Sequence, residues 1–247
     1  MNYITLNSYQ GYGEIVLNRP NKSNALNTNM LEELVQAIDI IATYAQPIVL
    51  LRANGKTFCA GLDLSEVLAL AKQNNRECLA RMNYLVGDVF AKLTALNKYL
   101  VVCLSGNSCG GGVGLVTVAD YVIAQTSAQI MFSEISLGLV PGQLYPYVYS
   151  KFGAQVMRWF TESRTFTVDE AAMRVLISEC VDEVDSRLYR YLRTLEDVNL
   201  DAVLLLKQIQ LSSLPPIEDN WRRDVADVFA KQAIVAVDKG LLTRFGC

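Results

Sequence analysis

The sequence predicts an α/β fold: repeated strand–helix units followed by a helical tail. Three observations point to it. Short, nearly continuous apolar runs recur at residues 48–51, 99–104 and 121–124, which is how strands buried on both faces read. Longer stretches with helical spacing of apolar residues lie between them. Beyond residue 185 the strand pattern stops and helical periodicity alone continues.

The elements follow in order. Residues 3–6 and 13–17 read as strands joined by a turn at Gln10-Gly11. A polar loop, residues 17–27, carries Arg19, Pro20 and Lys22. Asn29 with Glu32 has the spacing of a capping box. Leu31, Leu34, Val35, Ile38 and Ile41 then mark one apolar helix face, ended by Pro47. After strand 48–51 comes GKTFCAGLDLSEV, a loop bent at Gly55 and Gly61 that opens into a helix near Asp63. Residues 66–97 read as helical with a polar break at 73–77; Tyr84 and Asp88 fall in this stretch.

Strand 99–104 leads through a polar turn to Gly110-Gly111-Gly112, then a short helix, then strand 121–124. Glycines at the mouth of a helix let backbone N–H groups approach a ligand closely. Such groups hold phosphate, or an oxygen on which charge develops during reaction. Glu134 follows, alone among apolar neighbours. A carboxylate in such surroundings has a raised pKa, as a proton-shuttling acid or base requires. Residues 152–160 read as helix. Thr167 and Glu170 have capping-box spacing before a short helix at 171–175. Residues 177–184 read as strand, and 186–195, 201–209 and 221–240 as helices, the last two split by Pro215-Pro216.

Of 247 residues 51% are hydrophobic, enough for a large core in residues 1–190 with a helical region over 191–247. A net charge of −3 argues against a nucleic-acid binder that depends on phosphate contacts. There is no His, which excludes a Ser-His-Asp triad, a Cys-His pair and His-ligated zinc. The six cysteines, at 59, 78, 103, 109, 180 and 247, lack metal-ligand spacing, so no metal site is expected. They read as reduced thiols of a cytoplasmic protein. The N-terminal stretch lacks the charged start and apolar core of a signal peptide, and no apolar run reaches the ~20 residues of a membrane span.

Four motifs, taken together, resemble the enoyl-CoA hydratase/isomerase (crotonase) superfamily: LNRPNKSNALN at 17–27, FCAGLDL at 58–64, GNSCGGGVGL at 106–115 and FSEISLGLVPG at 132–142. They stand in that family's order and spacing. The resemblance implies stacked ββα units with a C-terminal helical oligomerisation region, as a homotrimer or dimer of trimers. It implies an acyl thioester substrate on coenzyme A or on the phosphopantetheine of an acyl carrier protein, with no separate cofactor. By motif position the backbone N–H groups of Leu62 and Gly111 form an oxyanion hole. Lys22, Ala25, Ala60, Asp63 and Leu64 fall on the segments that line the carrier arm.

One departure stands out. Family hydratases carry a glutamate directly after the glycine turn and a second about twenty residues on. Here the first position is Gly114 and the second is Glu134. This pattern resembles the branch that dehydrates 3-hydroxy-3-methylglutaryl-carrier protein to 3-methylglutaconyl-carrier protein in polyketide β-branching. In that reading Glu134 is the base and Tyr84 assists. A Δ3,Δ2-enoyl-CoA isomerase, which needs only one carboxylate, or another single-carboxylate enoyl-CoA hydratase is the alternative. A catalytically silent assembly subunit is a third reading. Docking of an acidic carrier protein calls for a basic patch, for which Arg158, Arg164, Arg222 and Arg223 are candidates.

Overall fold

A computed structural model describes residues 1–242, apart from the side chains of residues 171 and 172. The chain opens with a hairpin, β1 (Ile4–Ser8) and β2 (Tyr12–Leu17), then α1 (Thr28–Ala42). Three units follow, each with a long strand and then a short one. The first is β3 (Ile48–Ala53), β4 (Thr57–Cys59), α2 (Leu64–Lys72) and α3 (Arg76–Ala95). The second is β5 (Tyr99–Leu104), β6 (Asn107–Cys109) and α4 (Gly111–Thr117). The third is β7 (Tyr121–Gln125), β8 (Gln129–Met131) and a 3₁₀ turn, Ile135–Leu137. Then come α5 (Tyr145–Phe152), α6 (Gln155–Thr161), β9 (Thr165–Thr167), β10 (Glu179–Val181), α7 (Val184–Leu195), α8 (Leu200–Ser212) and α9 (Asp219–Asp238).

The long strands form one six-stranded sheet, ordered β1-β2-β3-β5-β7-β10, and the short ones a second, ordered β4-β6-β8-β9. Each unit therefore adds one strand to each sheet, as the ββα reading requires. The sequence showed the long strands; β4, β6 and β8 read as loops because three residues are too few for a period to register.

Alternation within the long strands explains why both sheet faces are covered. Val49, Leu51, Leu100, Val102 and Leu104 join the main core with α1 and α3. Their neighbours Ile48, Leu50, Val101 and Cys103 face the other way, against Val184, Leu188, Tyr191 and Leu195 of α7. Helix α7 thus belongs to the sheet it covers, and the expected division at residue 190 falls inside it. Helix α9 folds back on the core and buries Ala226, Phe229, Ala230, Ala233 and Ala236. Helix α8 buries no residue, and Leu205, Leu206 and Ile209 are exposed on it. Among the described residues no helix is long and apolar enough to cross a membrane.

Three local expectations are corrected. Helix α1 is capped by Asn27, whose side chain accepts from Met30 N at 2.9 Å; Glu32 instead pairs with Arg81. The helix expected at 152–160 begins only at Gln155, because Phe152 ends a separate helix, α5, and Gly153 between them takes φ +69°. Thr167 and Glu170 close a turn, Thr167 N donating to Glu170 Oε1 at 3.1 Å, and the helix that follows is a 3₁₀ segment, Ala171–Val175.

Candidate active site

Two backbone N–H groups are left free by the way their loops are pinned. Asn24 is fully buried with φ +53°, a conformation Asn tolerates better than most residues. Its side chain accepts from Arg19 N (2.8 Å) and donates to Asn54 O (2.8 Å) and Thr57 O (2.9 Å), tying the 19–25 loop to the segment before β4. From there Leu26 N donates to Gly61 O at 2.7 Å and Asp63 N to Leu26 O at 3.0 Å. These bonds hold the peptide groups on either side of Leu62, and Leu62 N–H has no protein acceptor among the described residues.

Gly111 is the first residue of α4, so its N–H has no acceptor within that helix. The two loops touch: a Cβ placed on Gly61, where φ is +82°, would lie 2.9 Å from Cys109 O and 3.3 Å from Gly111 N. A side chain at 61 would force the loops apart. The expected oxyanion pair, Leu62 and Gly111, thus sits on one wall of a single cavity.

Glu134 sits beside them. Gly110 N donates to Met131 O at 3.0 Å, fastening the glycine turn to the end of β8. A Cβ on Gly110 would lie 3.0 Å from Glu134 Oε1. The segment is anchored by Phe132, fully buried against Trp159, Phe160 and Phe166. Downstream, Leu137 N and Leu139 N donate to Glu134 O at 3.0 and 2.9 Å. Burial pushes the carboxyl up from its ordinary 4.5 to about 7, while its own N–H and that of Ser133 pull it down. Oε2 is enclosed with no hydrogen-bond partner. The result is a fixed, proton-exchanging carboxyl beside two free N–H donors.

A second carboxylate has no room. A Cβ on Gly114 would lie 2.0 Å from Phe90 Cζ, so the ring fills the space a glutamate there would need.

The cavity is small, about 70 Å³, and mostly apolar: Leu64, Val86, Leu137, Leu139, Leu144 and Phe229 are among its walls. Its polar lining among the described residues is Asn83, Ser133, Glu134 and Gln143, with no Lys or Arg. Asn83, Gln143 and Phe229 were not anticipated. In sequence Asn83 is one polar residue in an amphipathic helix, and Phe229 lies far along the tail. A stripe of Ala226, Phe229, Ala230 and Ala233 at helical spacing was the available signal for the latter.

The other expected residues divide. Ala60 and Leu64 line the cavity. Lys22 is exposed and Ala25 half-buried on the adjoining loop, joined to Ala60 through Ala60 N donating to Ser23 O at 3.0 Å. Lys22 and Lys56 stand on the two segments that Asn24 ties together, and neither has an ion-pair partner among the described residues.

Asp63 faces inward. It caps α2 and pairs with Arg19 at 2.7 Å, both side chains largely buried, so it holds the loop's shape. Tyr84 is not among the cavity's lining. Its hydroxyl donates to Asp219 at 2.6 Å, and its ring lies under Arg222 and Arg223. The expected basic patch is neutralised: Arg158 pairs with Glu162, Arg164 with Glu170, Arg222 with Asp88 and Asp219, and Arg223 with Asp219. Cys59 and Cys109, on the two loops, are held as protonated thiols, the poorly nucleophilic form. Burial pushes the Cys59 thiol up to about 12 and the Cys109 thiol to about 11, the latter aided by Glu134. Cys247 lies outside the described residues.

Two unpaired backbone N–H groups and one enclosed carboxyl on the lining of a single cavity are an arrangement that can take a proton and stabilise negative charge on a carbonyl oxygen. A family model described as enoyl-CoA hydratase/isomerase matches residues 7–216, and the chain belongs to that family of crotonase-type enzymes. It is 27% identical over 199 residues to the bacillaene synthase dehydratase PksH of Bacillus subtilis (strain 168), covering 80% of this chain and 76% of that one. It is 31% identical over 149 residues to the enoyl-CoA hydratase AKT6-1 of Alternaria alternata, covering 60% of this chain. The chain spans about half the length of most curated relatives it matches, 48% for AKT6-1. Among solved structures, Pseudomonas aeruginosa AtuE superposes with a TM-score of 0.80 at 29% identity, over 93% of this chain and 90% of that one.

Proposed function

We propose that this enzyme removes water from a short, branched 3-hydroxyacyl thioester, 3-hydroxy-3-methylglutaryl-carrier protein, to give 3-methylglutaconyl-carrier protein. The observation that carries the reading is Glu134, the one carboxyl lining the cavity among the described residues, beside two free N–H donors, with Phe90 in the place of a second carboxylate. The likeness to a dehydratase of bacillaene synthase supports it, as does the small cavity.

In this reading the thioester oxygen accepts from Leu62 N–H and Gly111 N–H. Glu134, ionised, takes a proton from C2, and the electron pair moves onto the thioester oxygen. The donors favour that charge more than the neutral carbonyl, so they lower the barrier rather than merely bind substrate. The enolate then collapses: the C2=C3 bond forms, the C3–O bond breaks, and the hydroxyl leaves as water with the proton Glu134 had taken. The carboxyl ends ionised, ready for another turnover. A single group serves both steps when the C2 proton and the hydroxyl lie on one face.

In this reading Lys22 and Lys56, exposed on the adjoining loops, meet the phosphate of the carrier arm, and the exposed Leu205, Leu206 and Ile209 of α8 are buried in a homotrimer. The test is mass spectrometry of carrier protein loaded with 3-hydroxy-3-methylglutaryl, incubated with the wild type and with Glu134→Gln. Loss of one water by the wild type alone supports the reading. No mass change, with conversion of a 3-enoyl-CoA to the 2-enoyl-CoA, would replace it by the isomerase.

A further inference from the structure

Asn83 is a polar lining side chain that the reaction above does not use, and its amide is unengaged among the described residues. It is 4% exposed on α3 and lines the cavity with Glu134. Oδ1 is enclosed with no partner, and no hydrogen bond to the side chain exists among the described residues. The other cavity amide differs: Gln143 packs against Gly87, one turn further along α3, and its Nε2 donates to Arg222 O at 2.8 Å. Gln143 therefore joins α3 to the tail, while Asn83 holds nothing. A buried, unbonded amide costs stability, of order 1–3 kcal/mol, and such a group in a cavity is one that a ligand satisfies.

The chemistry of the amide narrows the ligand. An amide offers an acceptor and a donor. A carboxylate only accepts and would leave Oδ1 orphaned. A hydroxyl donates and accepts, so it satisfies both ends. Resting on the dehydratase reading, we propose that Asn83 binds the 3-hydroxyl of the acyl group and presents it to the protonated Glu134. Asn83 accepts the hydroxyl's own proton in a hydrogen bond, which turns an oxygen lone pair toward the carboxyl that must protonate it. In the reverse direction the same bond holds the water that adds to C3.

This role separates from enolate formation, which needs only Glu134 and the two N–H donors. The experiment compares two reactions on wild type and Asn83→Leu. One is water loss from the 3-hydroxy-3-methylglutaryl thioester. The other is exchange of the C2 proton with D₂O on the 3-methylglutaryl thioester, which has the same skeleton without the hydroxyl. Asn83→Leu is expected to slow water loss about 10- to 100-fold and to leave exchange within about twofold. Should that variant not fold, Asn83→Ser is read in the same way. Unchanged water loss overturns the role of Asn83 alone, as does an equal fall in both reactions, which would mark a packing residue. Wild type that exchanges the proton but neither removes nor adds water overturns the dehydratase reading, and this role with it.

Discussion

The Phe90 ring occupies the space in front of Gly114, so tightly that a methyl group there would lie 2.0 Å from Cζ. That packing leaves Gly114 no space for a side chain, a carboxylate included. Gly114→Ala is expected to destabilise by about 1–3 kcal/mol through overpacking, measured by urea unfolding. The penalty should shrink in a Phe90→Leu background, and a double-mutant cycle reads the coupling. Additive effects would mean the two positions do not compete for space.

The pH dependence follows from the carboxyl. Burial raises Glu134 to about 7, and only the ionised form removes a C2 proton. Exchange of the C2 proton of the 3-methylglutaryl thioester with solvent should therefore climb through pH 7 and level off above it. A profile flat from pH 5 to 8 would exclude Glu134 as the base.

Stability should vary in the opposite sense. A carboxyl whose folded pKa exceeds its unfolded value contributes stability that is fully present below 4.5 and is lost as pH rises through about 7. Glu134→Gln has no such proton to lose. The variant should be more stable than the wild type by roughly 3 kcal/mol at pH 8, a difference that narrows toward pH 5. Its turnover should fall by about 10²- to 10⁴-fold. Denaturant titrations at the two pH values give the comparison, and an offset that does not change with pH would show the shift to be wrong.

Gly61→Ala tests the oxyanion pair without deleting a backbone group. The residue has φ +82°, and a Cβ there meets Cys109 O at 2.9 Å, so the loops must separate. Losing one donor corresponds to about 2.7–4 kcal/mol of barrier, so kcat should drop by about 10²–10³ with a smaller effect on KM. A KM effect alone would place the donors outside the reacting centre.

Much of the site was legible because its signals are local. Gly61 and Gly110–Gly112 announce backbone turned toward a ligand, and Glu134 stands out among Ile, Phe and Leu neighbours. The long strands were legible for the same reason, being unbroken apolar runs. What could not be read depends on neighbours distant in sequence. Tyr84 suggested a pocket residue, yet Asp219, Arg222 and Arg223 of the tail claim it. Four arginines suggested a docking patch, yet each has an acid within reach. Asn83 gave no sign, since an amide left without a partner is recognised only once everything around it is in place.

Phe229 gives the tail a further consequence. It lies on the last helix, yet it forms part of the wall around Glu134, a residue from the third ββα unit. During synthesis the sheets, both N–H donors and the carboxyl emerge before that wall exists. Without α9 that wall is incomplete, and a carboxyl nearer solvent is raised less while dipoles beside it act at a higher dielectric. The apolar enclosure of the site is thus the part of it that depends on the tail.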